Sequence, residues 1–368
     1  MHRNAVADAM LPIGALIAAL LVFGLFVWLG GVSPVEMWVL LFKGAFGDWY
    51  SWQNTLTRAA PLMLTALCVA LPARAGLVII GGEGALVLGG LAGAVLPGLL
   101  PLPDNAFGHA FGTSLLCAAG FATGAAWIAL AGALRQYRGV NETISSLLLA
   151  YTAIAIFKHL VEGPMRDPAT LNKPSTRTLD EALRIGGIAG SEVHWGFVIG
   201  ASACIALGLW LTFTARGFSV RVVGGNARTA QLVGLPASGL ILLACALGGG
   251  CAGLAGAIEV AAVHTNANAA LIAGYGYAGI LVSFIARHNP IAVIPVAILF
   301  GGFGAAGSLL QRRLGLPDAS VQVLQGIAFV LILATEALRG VDWRAAGERF
   351  RRSAVRGDAA PTPSRHTA

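Results

Sequence analysis

The chain reads as an all-α, polytopic integral membrane protein, and three observations predict that class. Hydrophobic residues make up 57% of the 368 residues and charged residues only 11%, against about 25% charge in an ordinary soluble domain. Mean hydropathy is +0.76. The apolar residues gather into ten stretches, and at roughly 20 residues per crossing they leave room for loops and tails but not for a large soluble domain. Residues 1–340 are therefore expected to form a membrane domain, and 341–368 a basic, disordered tail ending in Pro-Thr-Pro-Ser.

The first stretch, 11–31, is too long for a signal-peptide core and no small-residue cleavage site clearly follows it, so an uncleaved span is expected. Spans at 55–73, 77–100, 110–133 and 143–161 follow. After a long loop of mixed charge, 162–193, come 194–215, 238–263, 271–286, 290–310 and 321–339. Trp28, Trp38, Trp49, Tyr50, Trp52 and Trp195 fall near span ends, where amphipathic rings favour the headgroup layer. Glycine-rich runs such as Gly248–Gly256 and Gly301–Gly307 permit close helix packing. No whole-domain repeat is evident.

Ten crossings put both termini on one side. The net charge of +7 is almost entirely arginine, and much of the excess lies after residue 338. A basic tail beside a last span is a cytoplasmic, lipid-facing element, and the short basic loops around Arg135 and Arg221 agree. Arg312 and Arg313 fall outside in this arrangement and pull the other way. Nucleic acid is not an expected partner, because the tail carries no recognition motif.

Several chemistries are excluded. No glycine-rich phosphate loop precedes Lys43, Lys158 or Lys173, so the chain has no Walker A pattern. Neither HExxH nor GxSxG occurs. The scattered histidines read as interfacial anchors. Cys68, Cys117, Cys204, Cys245 and Cys251 lie inside apolar runs and read as small hydrophobes. No metal site, resident cofactor or enzymatic activity is expected.

What remains is a polar interior. Glu83 sits between Gly82 and Gly84 within an apolar span. An intramembrane acid costs at least about 2.5 kcal/mol facing lipid, so it faces protein or a water-filled path. The bracketing glycines suggest irregular backbone and a gate; a structural bond is the other reading. Glu259 divides evenly between a pathway role and a bond to a neighbouring helix. Tyr275 and Tyr277 have the rings to stack on a sugar or base, though tyrosines of the interfacial belt are commoner. Asn141 and Glu142 fit a helix start. Between two spans, Arg216–Pro236 is polar: Asn226 can cap a short helix over 227–233, Gly234 can end it, and Ala230 and Val233 would share one small apolar face. Such a helix is either a surface turn or a peg for a partner's groove.

The order and spacing of several segments resemble the permease subunits of bacterial ATP-binding-cassette importers for branched-chain amino acids, simple sugars and nucleosides. These segments are Pro61–Leu77, Ile80-Gly-Gly-Glu-Gly84, Val140-Asn-Glu-Thr-Ile144, Val220–Gly234, Gly253–Val260, Gly274-Tyr-Gly-Tyr277 and Asn289-Pro290. They span roughly 44–339 and look most like the nucleoside and simple-sugar branch. The resemblance implies that Arg221, Gly224, Asn226, Ala230 and Gly234 belong to a helix that couples to a cytoplasmic ATPase. It also implies a second permease chain, an extracytoplasmic binding protein, ATP bound only by the partner ATPase, and residence in the bacterial cytoplasmic (inner) membrane. Nucleoside-type members read G-L-x-N-I-G-x-E-G-Q, and here Ile79 and Ala85 replace the Asn and Gln. That loss of two hydrogen-bonding groups makes a changed substrate plausible. The function expected is import of a nucleoside or simple sugar by alternating access. The alternative is an ion-coupled secondary transporter with Glu83 as its ion site.

Overall fold

The structure, a computed structural model, describes residues 5–99, 105–170, 173–317 and 319–338. The predicted tail, 341–368, lies outside the described residues. Among them the protein is helical, with only isolated bridges at Ser175–Asn268 and Gly187–His194.

The helices are α1 (Ala5–Leu29), α2 (Pro34–Phe42), α3 (Trp49–Arg74), α4 (Gly82–Val95), α5 (Ala106–Arg138), α6 (Glu142–Glu162) and α7 (Gly196–Phe213). They continue as α8 (Ala215–Gly225), α9 (Ala227–Leu232), α10 (Ala237–Glu259), α11 (Tyr275–Ile285), α12 (Pro290–Leu314) and α13 (Ala319–Leu338). Six stretches are long and apolar enough to cross a membrane: α3, Phe107–Arg138, α6, α7, Ala237–His264 and α12. The other four predicted spans carry shorter apolar helical stretches, among them α4 and Ala269–Ile285. Two helices were not anticipated. One is α2, whose Val35, Val39 and Phe42 are exposed; the other is α8, which extends the segment predicted to hold one short helix.

Helix α10 is the centre of the bundle, packed against α3, α4 and α5. Its glycines make this possible. A Cβ on Gly253 would run into the Gly120 carbonyl of α5, and one on Gly256 into the Leu86 carbonyl of α4. Small residues let backbones touch where lipid offers no hydrophobic drive between helices. The packing role read from Gly248–Gly256 is thus what the fold uses. Four of the five cysteines are buried and all are unpaired.

Two elements are helices for only part of their predicted spans. Helix α4 has 14 residues, about 21 Å, where 77–100 was expected to be one span. Its missing length is supplied by non-helical Leu77–Gly81, five residues that can reach about 16 Å. Backbone without helical bonds is tolerated at membrane depth only when buried and satisfied, and α6 satisfies it. Ser146 Oγ accepts from the Ile80 amide at 3.1 Å, and Thr143 Oγ1 donates to the Val78 carbonyl at 3.0 Å. Helix α11 has 11 residues, about 16 Å. It follows a 3₁₀ turn at Ala269–Leu271 and the left-handed Gly274 (φ +81), a conformation that glycine adopts without a side-chain clash.

The loop after α6 folds over the end of the bundle where α10 finishes. The Ile185 amide donates to the Ala261 carbonyl, Leu179 to Thr265, and Thr176 to Ala267. At the opposite end lie α8 and α9.

Candidate functional site

The N-termini of the two half-helices meet. Helix α4 runs away from the α8–α9 end and α11 runs toward it, and Gly276 packs directly on the Gly82–Glu83 backbone. One half-helix, about 16 Å, separates this junction from the α8–α9 end. Broken helices meeting at such a depth are a common way to build a transport site.

Glu83 joins them. Its side chain is fully buried, and Oε1 accepts from the Gly274 amide at 2.8 Å while Oε2 accepts from Gly276 at 2.6 Å. The carboxylate therefore caps the first turn of α11, where unpaired N–H groups and the helix dipole favour a negative group. Gly82, Glu83 and Gly84 are themselves helical, so the irregular backbone expected there lies just before them. Gly82 faces Gly276, and Gly84 faces Ala150 of α6. Neither lines either cavity.

Two cavities flank the 273–278 segment. One, of about 250 Å³, is lined by Arg58, Tyr275, Gly304, Gln322 and Gln325 among others. The second, of about 520 Å³, is lined by Glu83, Leu147, Tyr277, Gln322, Gln325 and Phe329 among others. Ala273, Gly274, Ala278, Gln322 and Gln325 line both, so the two adjoin around the N-terminus of α11 as a two-part chamber. Tyr275 lines the first cavity and Tyr277 the second.

Glu259 is buried and lines neither cavity; its Oε2 lies 3.8 Å from Nε2 of His264. Of its two sequence readings, this placement favours a contact within the bundle. Ile79 and Ala85, which depart from the nucleoside-type pattern, are fully buried in the core and line neither cavity.

Sequence reasoning missed Arg58, Gln322 and Gln325. The span drawn at 55–73 put Arg58 at a membrane edge. Helix α3 begins at Trp49 instead, which places Arg58 about 24 Å along the helix from Arg74. Gln322 and Gln325, three residues apart on α13, were hidden in an otherwise apolar run.

At the α8–α9 end, Asn226 Oδ1 accepts from the Thr229 amide and caps α9, and Gly234 (φ +82) follows it in the left-handed region. Both features match expectation. The shared apolar face does not. Ala230 is completely buried while Val233 is 69% exposed. Ala230 seats α9 on the bundle, and the apolar groups presented outward are Leu232 and Val233. Arg221 is exposed beside Phe218, its guanidinium 5.8 Å from the ring centre.

Gly224, at the end of α8, abuts the Arg74 carbonyl and Gly76. From there Arg74 reaches the turn between α11 and α12. Its Nε donates to the His288 carbonyl at 2.8 Å and its Nη2 to the Arg287 carbonyl at 3.3 Å. Both acceptor residues have φ of +53, an unusual conformation for residues with side chains. A continuous set of contacts thus runs from α9 and α8 through Arg74 into α11, and along α11 to Gly274 and Glu83.

Several known proteins are similar to this chain along most of its length. The chain is 31% identical to a glucose ABC transporter permease of Haloferax volcanii, covering 88% of this chain and 87% of that one. It is 25% identical to a guanosine ABC transporter permease of Bacillus subtilis, covering 90% and 95%. A nucleoside ABC transporter permease of Lactococcus lactis is 24% identical over 91% and 93%. Among solved structures, PsaBC from Streptococcus pneumoniae in complex with Fab overlaps at 13% identity with a TM-score of 0.41, covering 80% and 94%. Residues 51–333 match the family described as branched-chain amino acid transport system / permease component, and the chain belongs to that family of membrane permeases.

Proposed function

We propose that the chain is the permease subunit of an ATP-driven importer for a small polar solute, a nucleoside or simple sugar, with its central path at the chamber around Gly274. The observation that carries this reading is the connection from α8–α9 through Arg74 and α11 to that chamber. A closure imposed on α8–α9 would be felt at Glu83 and the tyrosines. In this reading Leu232 and Val233 enter a groove on a cytoplasmic ATP-binding-cassette ATPase. Arg221, Gly224, Asn226, Ala230 and Gly234 hold that element in place.

ATP is bound by the partner ATPase and not by this chain. The α8–α9 end then faces the cytoplasm, both termini lie on that side after ten passes, and the membrane is the bacterial inner membrane. The loop 163–195 faces the binding protein, and a second permease chain, identical or related, completes the path. Alternating access follows if ATP binding favours one arrangement of this set and the released solute another. An ion-coupled mechanism would have to share Glu83 with the two backbone amides from which its oxygens already accept.

Purification from the native membrane, followed by reconstitution into vesicles, tests the reading. ATPase, second permease and this chain should co-purify in stoichiometric amounts and drive uptake of glucose or guanosine with ATP and the binding protein. Recovery of the chain alone, with uptake powered by an ion gradient, would overturn it.

A further inference from the structure

We infer that Arg58, with Gln322 and Gln325, is the donor and acceptor set that holds a neutral, oxygen-rich solute in the chamber. The inference deepens the permease reading above and rests on it. Arg58 lies on a membrane-crossing helix yet is an exposed residue. A guanidinium on such a helix is costly against hydrocarbon and turns to protein or a watery cavity, and Arg58 lines the cavity of about 250 Å³. Its side chain lies along Gly304 of α12, where even a Cβ would only touch it, 3.5 Å from Arg58 Cδ and 3.8 Å from Nη1.

Its charge is not cancelled by an ion pair. Among the described residues no carboxylate lies within ion-pair distance of Arg58, and Tyr275 lines the same cavity. Glu259 feels Arg58 electrostatically but contacts His264 instead. A guanidinium presents five donors in a fixed fork, and most of these remain free to meet ligand oxygens. On the facing wall, Gln322 and Gln325 occupy one face of α13, and each amide can both donate and accept. Tyr275 adds a ring and a hydroxyl.

The charges around the chamber argue for a neutral ligand. Glu83, bonded by two amides as a carboxylate, lines the adjoining cavity across Gly274. An anion would come near that buried negative charge and a cation would meet the Arg58 guanidinium. Vicinal hydroxyls or ring carbonyls can accept from the Arg58 fork and exchange hydrogen bonds with the glutamines. Sites built to bond such groups discriminate strongly, because a missing partner leaves a buried polar group unpaired.

The test uses the full complex in vesicles, with binding protein loaded with glucose or with guanosine at saturating concentration. Arg58→Gln should lower the maximal rate of ATP-driven uptake by at least about tenfold, a loss of one strong hydrogen-bonded contact. Arg58→Lys, which keeps the charge without the fork, should fall between. Gln325→Leu should lower the rate several-fold. The binding-protein concentration giving half-maximal rate should stay within twofold of wild type in all three, because docking lies at the other end of the path. Maximal rates within twofold of wild type in Arg58→Gln overturn the inference. Should that variant not assemble with the ATPase, a wild-type rate in Gln325→Leu overturns it equally. If the wild-type complex moves neither solute with ATP, the permease reading itself fails, an outcome separate from either result.

Discussion

Arg74 holds the backbone of His288: its Nε donates to the His288 carbonyl at 2.8 Å, across a sequence separation of more than two hundred residues. A charged donor on a carbonyl contributes about 1.5–3 kcal/mol. Left-handed backbone at a residue with a side chain costs about 1–3 kcal/mol, so one contact offsets much of the strain at Arg287 and His288. Arg74→Ala should leave the chain in the membrane but lower uptake per ATP hydrolysed by about tenfold. Simultaneous measurement of ATPase rate and uptake checks this, and an unchanged ratio excludes Arg74 from transmission.

His288 lies in the turn between α11 and α12. Burial first, and then the neighbouring Arg74 charge, push its imidazole down to about 4, against about 6.5 in an unfolded chain. The ring stays neutral, with Nδ1 2.9 Å from Ser283 Oγ. Above pH 6.5 neither state is protonated and this residue adds no pH dependence. As pH falls from about 6.5 to 4, the unfolded chain takes up a proton that the folded one refuses. Stability then declines by up to about 1.4 kcal/mol per pH unit. Thermal unfolding of the detergent-solubilised protein at pH 7 and pH 5 should show a larger drop for wild type than for His288→Asn, a residue that accepts left-handed backbone. Equal drops would remove His288 as the cause.

At Glu83 two substitutions separate bonding from transport. Glu83→Ala strips the amides of Gly274 and Gly276 of their acceptor, at about 1–3 kcal/mol for each buried group. It should lower both the melting temperature and the yield. Glu83→Gln keeps one acceptor oxygen, should lose only about half as much stability, and should transport less than that loss explains. If the Gln variant transports normally, the negative charge is dispensable and Glu83 serves as a cap alone.

On α9, burial decides what each side chain can be asked to do. Ala230→Arg forces a long charged group into a filled site and should reduce folded protein. Leu232→Asp changes a residue that is 83% exposed and should leave folding intact while abolishing stimulation of the ATPase. Normal stimulation in Leu232→Asp would remove α9 as the docking element.

The short capped helix α9 was legible in the sequence. Asn226 and Gly234 are local signals whose meaning depends only on neighbouring backbone, and both do what such residues do elsewhere. Ala230 and Val233 misled because spacing tells which residues share a face, but not which face the bundle covers. The half-helices were read as whole spans because hydropathy scores Leu77-Val-Ile-Ile as apolar whether or not it is helical. The hydrogen bonds that make it irregular come from Thr143 and Ser146, far away in sequence. Arg58 was missed for the opposite reason. The polar run around Gln53 and Arg58 resembles a loop, yet Gln53 accepts from the Glu192 amide and Arg58 lines the chamber. The partner of Gln53 and the far walls of the cavity that Arg58 lines come from segments that no local window contains.

The dependence of Leu77–Gly81 on α6 bears on how the chain enters the bilayer. During synthesis this segment leaves the ribosome more than sixty residues before Ser146, when its Ile80 amide has no acceptor in α6. Released alone into hydrocarbon, it would expose unsatisfied backbone at several kcal/mol per group. Helix α4, short and rich in glycine, has little apolar area to offset that. Insertion one helix at a time is therefore unfavourable here. Helices α3 to α6 should partition laterally into lipid as one unit, held at the insertion machinery until α6 arrives, and a ribosome stalled before Thr143 should leave α4 open to extraction by alkali.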